Sequence, residues 1–165
     1  MASIELDARG LLDALDAGGV RYIVIGGVAG VMLGSPLITE DLDVCYARDR
    51  PNLESLAVVL RSIHANLRGV DIAVPFRLDA KTLAAGDSFT FETDLGDFDV
   101  LGTPSGTLGY DDLIQSAENM DIGGRTVAVA SLDDLIRMKR AAGRPKDLFA
   151  IEILGALREE LAGYG

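Results

Sequence analysis

Hydrophobic positions along the chain fall into short runs of two different periods. Leu11, Leu12 and Leu15 share one face of a helix drawn over Leu6 to Ala17, and Gly18-Gly19 ends it. The run VRYIVIGG is β-branched and aromatic and closes on Gly26-Gly27, the pattern of a buried strand and a sharp turn. A short helix over Val28 to Leu33 follows, stopped by Gly34-Ser35-Pro36. DLDVCYA then alternates carboxylate and apolar residues with the period of a strand. Pro51 opens a helix whose stripe of Leu53, Leu56, Leu60, Ile63 and Leu67 carries it to about Leu67.

Residues 69 to 87 keep no steady period, which predicts a mostly irregular connection with one short element. SFTFET and GDFDVLG read as two strands joined in a hairpin by Asp94-Leu95-Gly96. The loop GTPSGTLG leads to a short helix from Tyr110 to Ala117. NMDI and RTVAVA flank Gly123-Gly124 as a second hairpin. Two helices finish the chain. Ser131 caps the first, with Asp134 at the capping-box position; Gly143 ends it, and Pro145 starts the second. The expectation is one α/β (α+β) domain with a small mixed sheet. Its core spans about 20–130 and a helical pair about 131–162.

Composition changes this picture little. The 165 residues are 48% hydrophobic and 25% charged, a globular profile with enough length to bury a core. No apolar run approaches the ~20 residues of a membrane span. The N-terminal stretch is acidic and amphipathic, without the basic start of a secretion signal. With Cys45 alone no internal disulfide forms, so a reducing cytoplasm is the expected compartment. One cysteine and one histidine, His64, cannot build a zinc site.

Charge matters more. A formal net charge of −11 repels nucleic-acid backbones, and residues 137 to 146 form the one convincing basic patch. Long duplex DNA is therefore not an expected partner, and neither is a membrane.

Candidate chemistry lies in the alternating strand. Residues two apart on a strand share a face, so Asp41 and Asp43 stand side by side, roughly 6.6–7 Å apart at Cα. Leu42 and Val44 point into the core. In the second hairpin strand Asp99 sits between Phe98 and Val100, with Asp97 on its face but nearer the turn. Paired strand aspartates fit Mg²⁺, which takes oxygen ligands and shares them with substrate phosphates. Two such ions can serve an attacking and a leaving oxygen at once. An ordinary outward strand face would also carry DLD and DFD, although aspartate is a poor strand former. Spacing alone leaves both readings open. The IGG turn, before a helix, could offer free N–H groups to a phosphate or be a plain tight turn.

Taken in order, IGGVAGVMLGSPLITEDLDV followed by FDVLG resembles the nucleotidyltransferase superfamily that includes DNA polymerase β. The likeness is to its minimal, abortive-infection-like branch from bacterial toxin–antitoxin loci. The matching positions are Gly26, Gly27, Gly34, Thr39, Asp41, Asp43 and Asp99. DLIRMKRAAGRPKDLFAIEIL extends the resemblance: related enzymes place a Lys and later an Arg or Lys followed by Asp here, the basic residues meeting nucleotide phosphates, and Lys139, Arg144, Lys146 and Asp147 fill those positions. Lys146 in a first helical turn opposes the helix dipole, a cost that a nearby phosphate or the adjacent Asp147 would offset.

The resemblance implies the nucleotidyltransferase fold and transfer of NMP from an NTP to a hydroxyl. It also implies two Mg²⁺ (or Mn²⁺) ions held by Asp41, Asp43 and Asp99. Gly26, Gly27, Thr39, Lys139, Arg144 and Lys146 would bind the nucleotide. The acceptor stays open among an RNA 3′ end, a protein side chain and a small molecule, and an antitoxin is a candidate partner. Val28, Leu37 and Ala150 depart from the pattern, where members often carry Ser, Arg and an acid. They are the support for a rival reading, a fold that binds nucleotide or a partner without turnover. By the strand period Cys45 shares the carboxylate face, but it has no visible base beside it and reads as a bystander. His64 reads as a helix-surface or packing residue.

Overall fold

A computed structural model describes residues 4–69 and 76–163. Its first helix, α1 (Ala8–Ala17), starts where the Asp7 side chain accepts a hydrogen bond from the N–H of Gly10, and it buries Leu11, Leu12 and Leu15. Strand β1 (Tyr22–Ile25) is buried along its whole length. It runs directly into α2 (Gly26–Met32), so no spacer separates the strand from the glycine turn. Strand β2 (Asp41–Tyr46) follows, then α3 (Arg50–Ser62), with Asp49 as N-cap and Pro51 in its first turn.

The sequence expectation for α3 was one turn too long. Leu67 belongs instead to a two-residue strand, β3 (Asn66–Leu67). The helix stops because His64 takes a left-handed φ of 53°. The N–H of Ala65 then bonds back to the carbonyl of Leu60 and that of His64 to Arg61, a Schellman closure without glycine. The stripe to Leu67 persists because Leu67 still packs on the same core from the strand.

The short element expected between 69 and 87 is α4 (Ala80–Ala85), capped by Asp79; residues 70–75 of that stretch lie outside the described residues. Strands β4 (Ser88–Thr93) and β5 (Gly96–Leu101) form the expected hairpin. Helix α5 (Tyr110–Leu113) is shorter than the Tyr110 to Ala117 expected, because β6 (Glu118–Ile122) already begins at Glu118 and pairs with β7 (Arg125–Val129). Helices α6 (Leu132–Ala142) and α7 (Pro145–Gly163) close the chain, with Ser131 capping α6 and Gly143 ending it in the left-handed region. No helix among the described residues is long and apolar enough to cross a membrane.

Among the described residues seven strands make one mixed sheet in the order β3-β4-β5-β2-β1-β7-β6. At its centre β2 lies antiparallel to β1 and parallel to β5. Alternation sorts the two faces. Leu42, Val44, Phe98 and Val100 are fully buried, in one core with Leu11, Leu12, Leu15, Leu53, Leu56 and Leu60 of α1 and α3. Burying such a side chain is worth roughly 1.5–3 kcal/mol, so a one-residue slip of β2 would forfeit several of these at once. The register that fixes the core therefore fixes which residues face the other way. Those are Asp41, Asp43, Asp97 and Asp99. Near that face α2 packs against β2 and α6, and α6 pairs with α7.

Candidate active site

Because β2 and β5 are adjacent and parallel, Asp41 stands opposite Asp97 and Asp43 opposite Asp99. Ligand-type oxygens of Asp41, Asp43 and Asp99 come within 4.8 Å of one another. Asp97, the weaker candidate from sequence, stays outside this group. The three converging carboxyls are half-buried. Burial, then the charges of Asp41 and Asp99, push the Asp43 carboxyl well above the ordinary carboxylate range, with Lys139 opposing. Asp99 is raised too, by burial first, although Arg68 and a hydrogen bond from Asp43 pull it back. A divalent cation would remove that repulsion. Three hard oxygen donors in this space suit Mg²⁺ or Mn²⁺.

The glycine turn is built against these acids. Gly26 has φ +66°, and a Cβ there would collide with the carboxylate of Asp43. A Cβ on Gly27 would come within 2.6 Å of the Thr39 hydroxyl oxygen. Only glycine lets the backbone of the turn approach both residues so closely. Thr39 in turn donates its hydroxyl to the carbonyl of Asp41 at 3.0 Å, tying the loop to the start of β2.

The C-terminal helices add positive charge beside the acids. Asp147 is fully buried at the start of α7 and accepts from Arg144 Nε at 2.7 Å and from the Arg144 backbone N–H at 3.0 Å. Lys139 of α6 lies 3.4 Å from its other oxygen. These bonds, led by the Arg144 side chain, hold the Asp147 carboxyl down at about 2. Lys139 and Arg144 both act electrostatically on Asp43, so they flank the acid cluster. Lys146 is different: it is exposed and makes no ion pair among the described residues.

One residue at the cluster was missed by sequence reasoning. Arg68, directly after β3, bridges Asp97 at 2.9 Å and Asp99. Nothing in the local pattern marks Arg68, since its partners lie about thirty residues on. Only the pairing of β3 with β4 brings it there.

Other residues stand apart. Cys45 is buried, its thiol pushed up to about 12 by burial and then by Asp87 and Asp112, so it is not a nucleophile. His64 is exposed and pairs with Asp94. A cavity of about 440 Å³, lined in part by Arg21, Tyr46, Arg48 and Tyr110, lies at the opposite end of β2 from the acids.

No protein-family model matches the sequence, and no curated protein matches it either. Solved structures do. The lincosamide antibiotic adenylyltransferase LnuA, lincomycin-bound, superposes with a TM-score of 0.62 at 13% identity, covering 93% of this chain and 99% of that one. ANT(2″)-Ia in complex with adenylyl-2″-tobramycin gives 0.51 at 14% identity, covering 95% and 96%. An antigenic nucleotidyltransferase-like protein from Paracoccidioides brasiliensis gives 0.55 at 19% identity, covering 94% and 78%. Such a likeness at so little identity speaks for architecture alone. The chain has the nucleotidyltransferase fold.

Proposed function

We propose that the protein is a divalent-metal-dependent nucleotidyltransferase that moves NMP from an NTP to a hydroxyl of a small molecule. The observation that carries this reading is the convergence of Asp41, Asp43 and Asp99 from two adjacent parallel strands, flanked by Lys139 and Arg144. Asp41 and Asp43 would hold both cations, and Asp99 would complete the second site. When bound, the cations neutralise the phosphates and make the acceptor hydroxyl more acidic.

The remaining work falls to the chain. Asp99 helps draw the proton from the acceptor hydroxyl, whose oxygen forms a new bond to the α-phosphorus. The bond to the bridging oxygen breaks, and pyrophosphate leaves. Lys139 and Arg144 are aimed by Asp147 and offset the charge that builds on the departing phosphates. The backbone N–H groups at Gly26 and Gly27 approach the phosphates where no side chain stands in front of them. Thr39 acts through Asp41 and the turn. Lys146 would reach the triphosphate from solvent.

Of the acceptors open from sequence, a small molecule gains support because two matched structures are antibiotic adenylyltransferases or resistance factors. ATP is the corresponding donor. The RNA-end and antitoxin readings rest on the toxin-branch resemblance alone, and a cytoplasmic role on the single cysteine, Cys45. A non-catalytic binding module remains the second reading, favoured by Val28, which is buried in the core where it cannot serve a phosphate.

Labelled ATP, CTP, GTP and UTP, each with Mg²⁺, should be offered to a panel of aminoglycosides and lincosamides and, separately, to total RNA. Transfer that disappears in Asp43→Ala is the expected result. Binding of Mg-NTP with no transfer to any acceptor selects the binding module. Failure to bind any Mg-NTP at millimolar concentration sinks both.

A further inference from the structure

Helix α7 is apolar on two opposite sides. Toward the body of the protein, Asp147 and Leu154 are buried, Leu154 and Leu157 lie close to Gly30 and Gly34, and Arg158 pairs with Asp133 of α6. Residues three and four apart share a helix face, so Phe149, Ile153, Ala156 and Glu160 form a seam on the far side, with Lys146 at its start. Phe149 is 58% exposed, Ile153 is half-buried and Ala156 is exposed. A surface helix ordinarily turns a polar face outward, and one that is apolar on both sides is ordinarily covered. The end charges point to what covers this one. Lys146 stands in the first turn and Glu160 in the last, each against the helix dipole. Neither makes an ion pair among the described residues. They are about 21 Å apart along the axis, at 1.5 Å per residue, so they cannot meet within one helix.

We propose that α7 is a dimerisation helix, which pairs antiparallel with α7 of a second copy of this chain. A basic end, an apolar middle and an acidic end make the seam complementary to itself once it is turned end for end. That is the requirement for a two-fold contact, in which both copies use the same surface. The turned copy brings its Glu160 to Lys146 and its Lys146 to Glu160, so both ends gain a partner that their own helix cannot give. Phe149 packs over the small Ala156 of the other copy, and the two Ile153 side chains meet at the axis. The seam of 19 residues is about 28 Å long and about 10 Å wide. That is well below the roughly 800 Å² per partner of a tight complex, so the pairing is weak and reversible. It goes beyond the nucleotidyl-transfer reading and does not depend on it. Lys146 is the one residue common to both.

The test reads mass, and it is run without metal or nucleotide so that the outcome is separate from the catalytic reading. Sedimentation velocity of the full chain, from about 1 to about 100 µM, should show the mass rise from one chain to two. Phe149→Ser should weaken the dimer at least about tenfold. Lys146→Glu and Glu160→Lys should each weaken it too, by setting like charges against each other across the axis. The double variant carrying both changes should return to within about threefold of wild type. Because the two positions are too far apart to meet in one chain, that rescue can come only from a second copy. Circular dichroism checks that each variant is folded. A single-chain mass at every concentration would overturn the proposal. So would a dimer indifferent to Phe149→Ser and to both charge reversals, or species larger than two chains. A double variant no better than the single ones would overturn the antiparallel pairing.

Discussion

Two aspartates of the site respond to pH in opposite senses. Asp147 has its carboxyl held at about 2, below its ordinary 3.8, by the Arg144 bonds. A depressed folded value means stability that is fully present above the unfolded value and is lost as pH falls from about 3.8 through about 2. The shift corresponds to about 2 kcal/mol. Asp147→Asn should lose roughly that much at neutral pH, and its acid limb between pH 4 and 2 should be flatter in urea unfolding. Asp43 is raised, so the folded protein keeps a proton that the unfolded chain gives up. Metal-free stability should therefore decline as pH climbs above the ordinary carboxylate range. A Mg²⁺ ion bound there would take that proton's place. The rise in Tm on adding Mg²⁺ should thus be larger at pH 8 than at pH 6, as read by thermal unfolding, and Asp43→Asn should abolish the difference. At this scale the sequence was informative about Asp41, Asp43 and Asp99, whose alternation with core residues is a local signal. It was silent about Arg68, because a long side chain crossing a strand leaves no periodic trace.

Among the elements, the turn between β1 and α2 carries the most consequence. Its two glycines are legible as a strand-ending pair, but their purpose appears only when Asp43 and Thr39 are seen against them. Gly26→Ala adds a Cβ at φ +66° and into the Asp43 carboxylate. It should cost more than about 1 kcal/mol of stability. Because the collision is with a proposed ligand, Mg²⁺-dependent stabilisation should shrink as well, measurable by calorimetric titration with Mg²⁺. Undiminished Mg²⁺ binding in a folded Gly26→Ala protein would detach the turn from the site. Helix ends were harder to read than helix faces. The stripe through Leu67 was continuous, yet His64 accepts a left-handed conformation without the glycine that usually announces one. Helix α5 ended early for a different reason, since Glu118 was already committed to pairing with Val129.

For the molecule as a whole, topology is what joins residues that sequence order separates. Asp41 and Asp99 lie far apart along the chain, and the parallel pairing of β2 with β5 sets them on one face. The order of the seven strands was not legible, because alternation says which face a residue takes and nothing about which strand lies beside it. Charge was partly legible. Within the basic stretch 137 to 146, Arg137 pairs with Asp112 and Asp134, while Lys139 and Arg144 are held by Asp147 beside Asp43. What positive charge the site has is aimed at the acid cluster, in a chain of net charge −11. That arrangement fits a compact anionic ligand such as Mg-NTP far better than a long polyanion.

The proposed phosphoryl chemistry at the α position of a nucleotide, on Asp41, Asp43 and Asp99, can be checked by comparing ATP labelled at the α-phosphate with ATP labelled at the γ-phosphate, each incubated with Mg²⁺ and an aminoglycoside or lincosamide acceptor. The α label should move to the acceptor while the γ label leaves in pyrophosphate, and Asp43→Ala should do neither. Transfer of the γ label, or α transfer undiminished in Asp43→Ala, would contradict that chemistry.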